Sequence, residues 1–330
     1  MNAIRVPQDA IPDQLLDQVL QGQRPAVARA ISLVERNDPA ARSLLRGLRK
    51  HVGRAHRVGI TGPPGAGKST LLNKLAGLLS RQGLKVGVLA VDPTSPFTQG
   101  AVLGDRVRMA ELDQSDGIFI RSMASRGQGG GLSPRAADAV EVLDAAGFEW
   151  LFVESVGVGQ VELDIRHVVD TTLVTLVPES GDQVQAIKAG LMEIADLYVV
   201  NKCDRDGANA MLAAVQSCVS LQHHPDPDWM PTVFGAAAST GQGIEEVLAE
   251  LQRHRIHLGQ NNRLQLRRRA GMTARLSGML EDQLAARLNA SVQDGQLQAA
   301  VDRALSGTES LEEIVQTWLS RWLNQYGTRQ

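Results

Sequence analysis

The run Gly62-Pro63-Pro64-Gly65-Ala66-Gly67-Lys68-Ser69-Thr70 sets three glycines ahead of a lysine and two hydroxyls, between an apolar stretch at 58–61 and a helical pattern at 71–79. Such spacing, after a strand and opening a helix, is that of a nucleotide-phosphate loop. Glycines at 62, 65 and 67 permit a concave turn whose N–H groups, with the helix N-terminus, face phosphate oxygens. Pro63 and Pro64 have no N–H to give, so the donors are expected from Gly65 through Thr70. Lys68 is expected to reach the terminal phosphates as a point charge, and the Ser69 hydroxyl to ligate Mg²⁺.

A second pattern concerns the base. The apolar run at 197–200 reads as a buried strand and leads into Asn201-Lys202-Cys203-Asp204. A carboxylate at Asp204 can accept from both N1–H and the 2-amino group of guanine, a pair that adenine does not offer, so GTP is expected over ATP. Asn201 would tie this loop to the phosphate loop, and the Lys202 stem would lie over the base. A further guanine contact is expected from the backbone of Ala237, Ala238 and Ser239, after a strand at 232–234.

Mg²⁺ requires oxygen ligands at strand ends. Asp92 closes the apolar run 86–91, Asp105 lies in the following loop, and Glu154 ends the run 150–153. With Ser69 these form the expected metal set. Gly157 would let the backbone approach the γ-phosphate and act as a hinge. No glutamine directly follows Gly157; the nearest is Gln160, so slow intrinsic hydrolysis is expected. Arginines in two segments read as loops, Arg106 and Arg108 in one, Arg121 and Arg126 in the other, could supply transition-state charge.

These residues need a frame, and the 330-residue chain supplies one. Strands alternate with helices from about 53 to 258, which predicts a P-loop-type α/β domain: a mostly parallel sheet with right-handed crossovers. Residues 1–52 carry helical periodicity in Leu15, Leu16, Val19, Leu20, Val27, Ile31 and Val34, with Pro25 in the first turn of a second helix. From 259 to 330 the pattern is helical again, with Leu276, Leu280, Leu284 and Leu288 four residues apart and Trp318 and Trp322 on one face. Two cysteines give no disulfide framework and suit a reducing compartment. No stretch approaches the roughly 20 apolar residues that span a bilayer, so the cytoplasm is expected. A net charge of −2 argues for neither nucleic acid nor membrane attraction.

With these motifs stand Asp92-Pro93-Thr94-Ser95, Leu103-Gly104-Asp105-Arg106-Val107-Arg108-Met109, Phe119-Ile120-Arg121-Ser122-Met123 and Glu154-Ser155-Val156-Gly157-Val158-Gly159-Gln160. In this order they resemble the methylmalonyl-CoA mutase-associated GTPases, the MeaB/ArgK family of P-loop GTPases, from about residue 45 to 269. The resemblance implies a GTP-hydrolysing homodimer, joined through its C-terminal helices. It also implies that this GTPase gates cofactor loading of, and protects, an adenosylcobalamin-dependent acyl-CoA mutase. By the same likeness Arg108, Asp182, Gln185 and Lys188 are switch residues that couple partner contact to the active site. Gln99 replaces a glycine of the family's switch segment and should stiffen it. Two alternatives stay open. A nickel-delivery GTPase would want a Cys/His cluster, and His223-His224 is the only adjacent histidine pair. A small-molecule kinase would want a second substrate pocket beside the phosphates.

Overall fold

The computed structural model describes residues 13–92, 117–124, 134–155, 164–178, 190–222, 224, 226–291 and 294–326. Three helices lead, α1 (Asp13–Leu20), α2 (Arg24–Glu35) and α3 (Pro39–Leu48). The alternating part follows as β1 (His56–Thr61), α4 (Lys68–Arg81), β2 (Val86–Asp92), β3 (Ile118–Ala124), α5 (Pro134–Ala145), β4 (Trp150–Glu154), β5 (Thr171–Leu176), α6 (Leu191–Ile194), β6 (Leu197–Val200), α7 (Ala208–Leu221), β7 (Thr232–Gly235) and α8 (Ile244–Leu258). Three helices close it: α9 (Arg263–Ser291), α10 (Asp294–Leu305) and α11 (Leu311–Tyr326). The described residues up to Gly271 fall in one compact unit and those from Met272 in a second.

All seven strands are parallel, in the order β3-β2-β4-β1-β5-β6-β7. The sheet is covered on both faces, and the alternation of side chains along each strand shows it. Val86, Val88, Trp150, Phe152, Leu197 and Val199 join one core with Leu71, Leu75 and Leu79 of α4 and Val247 and Leu251 of α8. Their neighbours Leu89, Val91, Leu151, Val153, Tyr198 and Val200 join the other, with Val27 and Ile31 of α2, Leu44 and Leu48 of α3 and Val140 and Leu143 of α5. The leading helices therefore share the sheet's own core. Pro25 stands at the start of α2 as expected, and Asp38 caps α3, accepting from Ala40 N at 2.9 Å.

One segment departs from expectation. The stretch around Arg121, read as a loop, begins as the edge strand β3, pairing from Ile118 to Ala124 with β2. Its guanidinium donates to Ser32 Oγ at 3.0 Å and Glu35 at 3.4 Å on α2, so it braces the sheet edge and is not turned to phosphate chemistry.

The amino-terminal edge of the sheet holds a dense polar network. Asp170 and Asp196, each just ahead of a strand, accept paired donors from Arg268 and Arg267 of α9 at 2.6–2.7 Å. Between them the buried Thr171 hydroxyl lies 2.9 Å from His56 Nε2 and 2.7 Å from His254 Nδ1. A hydroxyl gives one proton and takes another, so it suits two neutral rings. Burial, outweighing the nearby charges of Asp170 and Asp196, pushes the imidazole of His56 down to about 3 and that of His254 to about 4. An unfolded chain binds both protons below about pH 6.5, while the folded one does not until about pH 4. The contribution is therefore complete above pH 7 and is lost as pH falls through 6.5. Between pH 7.5 and 5, stability is expected to drop by about 2 kcal/mol per histidine, read as a lower urea midpoint; an unchanged midpoint would show that these histidines titrate normally.

Candidate functional site

Because the strands are parallel, their carboxyl ends meet on one edge, and the order reverses at β1, which lies between β4 and β5. Open α/β sheets bind ligands at such a point. There the phosphate loop leaves β1. Gly62 has φ 132°, and a Cβ on it would collide with the Thr175 carbonyl of β5. Gly67 has φ 81°, and a Cβ there would collide with the Asn201 amide. Both positions thus require glycine for space as well as for conformation. α4 starts at Lys68 with no acidic residue in its first turn, so the positive end of its dipole is left for an anion.

Lys68 is buried, and its Nζ donates to the carbonyls of Gly62 at 2.8 Å and Pro63 at 3.1 Å, which holds the ammonium across the loop. Pro63, which cannot donate, thus contributes a carbonyl to the lysine. Ser69 Oγ donates to Glu154 Oε1 at 2.6 Å. Two members of the expected metal set are thereby brought together, a hydroxyl and a carboxylate whose hard oxygens suit Mg²⁺. Asp92 ends β2 on the same edge. Its side chain lies outside the described residues, as do Asp105, Gly157 and Gln160, the arginines Arg106, Arg108 and Arg126, and the switch residues Asp182, Gln185 and Lys188.

The tetrad Asn201-Lys202-Cys203-Asp204 follows β6. Asn201 is buried, and its side-chain amide meets both neighbours: Nδ2 donates to Ala66 O at 2.8 Å and Oδ1 accepts from Ala238 N at 3.0 Å. One side chain joins the phosphate loop, the tetrad and the loop after β7. Its backbone N–H extends the ladder to Leu176 O at 2.8 Å. Lys202 takes φ 60°, a left-handed turn unusual for a side chain of this size. Cys203 N donates to Ala236 O at 3.0 Å and its thiol to Val200 O at 3.0 Å, so the thiol faces inward, and burial pushes it up. Asp204 is exposed at the turn, as is Ser239, while Ala237 and Ala238 are buried. Pro64, Gly65 and Thr70 are exposed along the loop.

Two pairings had no local signal. Ser155 Oγ donates to Thr61 Oγ1 at 2.8 Å at the carboxyl edge, and at the amino-terminal end of β1 Arg57 pairs at 2.8 Å with the buried Asp144. Asp144 also accepts from the N–H groups of Gly53, Arg54 and Ala55, which fixes the entry to β1.

Comparison with known proteins agrees with this geometry. The family model "Methylmalonyl Co-A mutase-associated GTPase MeaB" matches residues 27–293. A protein of Pyrococcus abyssi named as a GTPase is 44% identical over 293 residues, 88% of this chain and 90% of that one. GTPase ArgK of Escherichia coli is 40% identical over 252 residues, 74% of this chain and 76% of its own. The crystal structure of a LAO/AO transport system kinase superposes with a TM-score of 0.78 at 29% identity, covering 94% of this chain and 97% of that one.

Proposed function

The chain belongs to the methylmalonyl-CoA mutase-associated GTPase family, and from that premise we propose that it gates cofactor loading of, and protects, an adenosylcobalamin-dependent acyl-CoA mutase. It is a P-loop GTPase, and guanine-nucleotide binding follows from the family. The observation that carries the site assignment is the Asn201 amide, which holds the phosphate loop and the base-reading loops in one constellation. In this reading Gly62 through Thr70 cradle the phosphates, Asn201, Lys202 and Asp204 with the backbone of 237–239 hold guanine, and Lys68 carries charge.

The proposed reaction is in-line attack of water on the γ-phosphorus, with the proton leaving to bulk water or phosphate and the β–γ bridging oxygen departing on GDP. Lys68 and the loop N–H groups stabilise the charge that builds on the phosphoryl oxygens. Ser69 and Glu154, with Asp92 and Asp105, would hold Mg²⁺, which when bound neutralises phosphate charge. Gly157, Arg108, Asp182, Gln185 and Lys188 are proposed to move with nucleotide state and partner contact.

Homodimerisation through the C-terminal helices is part of the proposal. Leu276, Leu280 and Leu284 are 60%, 56% and 47% exposed along one face of α9, an apolar stripe that suits a second copy. A kinase role gains less support: a described cavity of about 560 Å³, lined by His167, Asp196, Trp229 and Arg267, lies at the amino-terminal edge, away from the phosphate loop. For nickel delivery, no group of three or more His, Cys, Asp or Glu among the described residues is placed to hold a metal ion. No helix among them is long and apolar enough to cross a membrane. The test is whether GTP turnover responds to an added mutase.

A further inference from the structure

The last ladder step between β1 and β4 sets Ile60 beside Glu154, and Ser155 N then donates to Ile60 O at 3.1 Å. Thr61, the last residue of β1, still pairs with Val174 of β5 before the chain enters the phosphate loop. The Ser155 and Thr61 hydroxyls meet at 2.8 Å at this end of the two strands, both residues at most 1% exposed. A closed ring results. From Thr61 the loop runs to Ser69, whose hydroxyl reaches Glu154, and Glu154 is bonded to Ser155, which returns to Thr61.

Glutamate has one more rotatable bond than aspartate, so its carboxylate needs external fixing to stay beside Ser69. We propose that Ser155 and Thr61 are positioning residues that set the spacing of Ser69 and Glu154, and with it the affinity of the nucleotide site for Mg²⁺. The inference rests on the Mg²⁺ reading above. A buried hydroxyl pair that only stabilised the fold would not act on the metal selectively; one closing a ring through both metal-facing oxygens should.

The test measures release of a fluorescent GDP analogue from the full chain across a Mg²⁺ titration and in EDTA, for wild type, S155A, T61V and S155T. Thr61→Val keeps the side-chain shape, so it carries the test should S155A fold poorly. S155A and T61V are expected to need about tenfold more Mg²⁺ to slow release, the lower end for outer-shell partners of metal ligands, with release in EDTA unchanged. S155T, which restores the hydroxyl, should follow wild type. Wild-type Mg²⁺ dependence in both S155A and T61V would overturn the proposal, as would equal acceleration with and without Mg²⁺, the mark of general loosening. A wild type whose release ignores Mg²⁺ would instead remove the metal reading and this inference with it.

Discussion

Lys68→Ala is expected to leave a folded chain that no longer hydrolyses GTP at a measurable rate. The ammonium is buried and held over the loop by the Gly62 and Pro63 carbonyls, so its position does not depend on a flexible surface stem. A preorganised cation stabilises developing phosphoryl charge at no reorganisation cost, and losing one such donor lowers kcat by about 10²–10³-fold. Alanine also abandons the two carbonyls, but those sit in a loop edged by exposed Pro64 and Gly65, where water can replace the ammonium. The fold should therefore survive, as a thermal melt would show. Lys74, exposed on the same helix, serves as control: Lys74→Ala should hydrolyse GTP like the parent. Hydrolysis by Lys68→Ala within twofold of wild type would remove the phosphate loop from the chemistry.

Asp204→Asn should move base preference. In the proposed site the carboxylate would accept two hydrogen bonds from guanine; an amide would accept one and turn its N–H₂ against the 2-amino group. A donor facing a donor loses one bond and leaves both groups unpaired, so GTP affinity should fall on the order of 100-fold. Xanthine carries a carbonyl where guanine carries the 2-amino group, and it should bind the variant better than the wild type. Because Asp204 is exposed at the turn while Asn201 holds the loop, the substitution should not disturb the strut. Competition of GTP, XTP and ATP against a fluorescent nucleotide reads this directly; unchanged GTP preference would place base recognition elsewhere.

Much of this site is written locally in the chain. The phosphate loop, α4 and the tetrad are contiguous strings whose residue types fix their own backbone; the strands at 86–92 and 150–154 are apolar runs ended by a carboxylate, and that at 197–200 is an apolar run followed by Asn201. What escaped has physical reasons. β3 carries Arg121 and Ser122 in mid-strand, which breaks the apolar pattern, because α2 supplies a polar partner across the sheet edge. The tie between Ser155 and Thr61 joins residues 94 apart, and those of Arg267 and Arg268 to Asp196 and Asp170 span 71 and 98 positions. No periodicity records such pairs; only the strand order brings them together. Glycines at 62 and 67 were readable as turn formers, but not the second demand on them, that Thr175 and Asn201 leave no room for a Cβ.

The proposed role is that of a GTP switch answering to a mutase. The measurement that tests it is GTP turnover by the purified full chain with Mg²⁺, alone and with an adenosylcobalamin-dependent acyl-CoA mutase, with ATP as control. Slow turnover of GTP and not ATP, rising when the mutase is added, is the predicted result. Turnover that stays the same with every such mutase, or that accepts ATP equally, would contradict it.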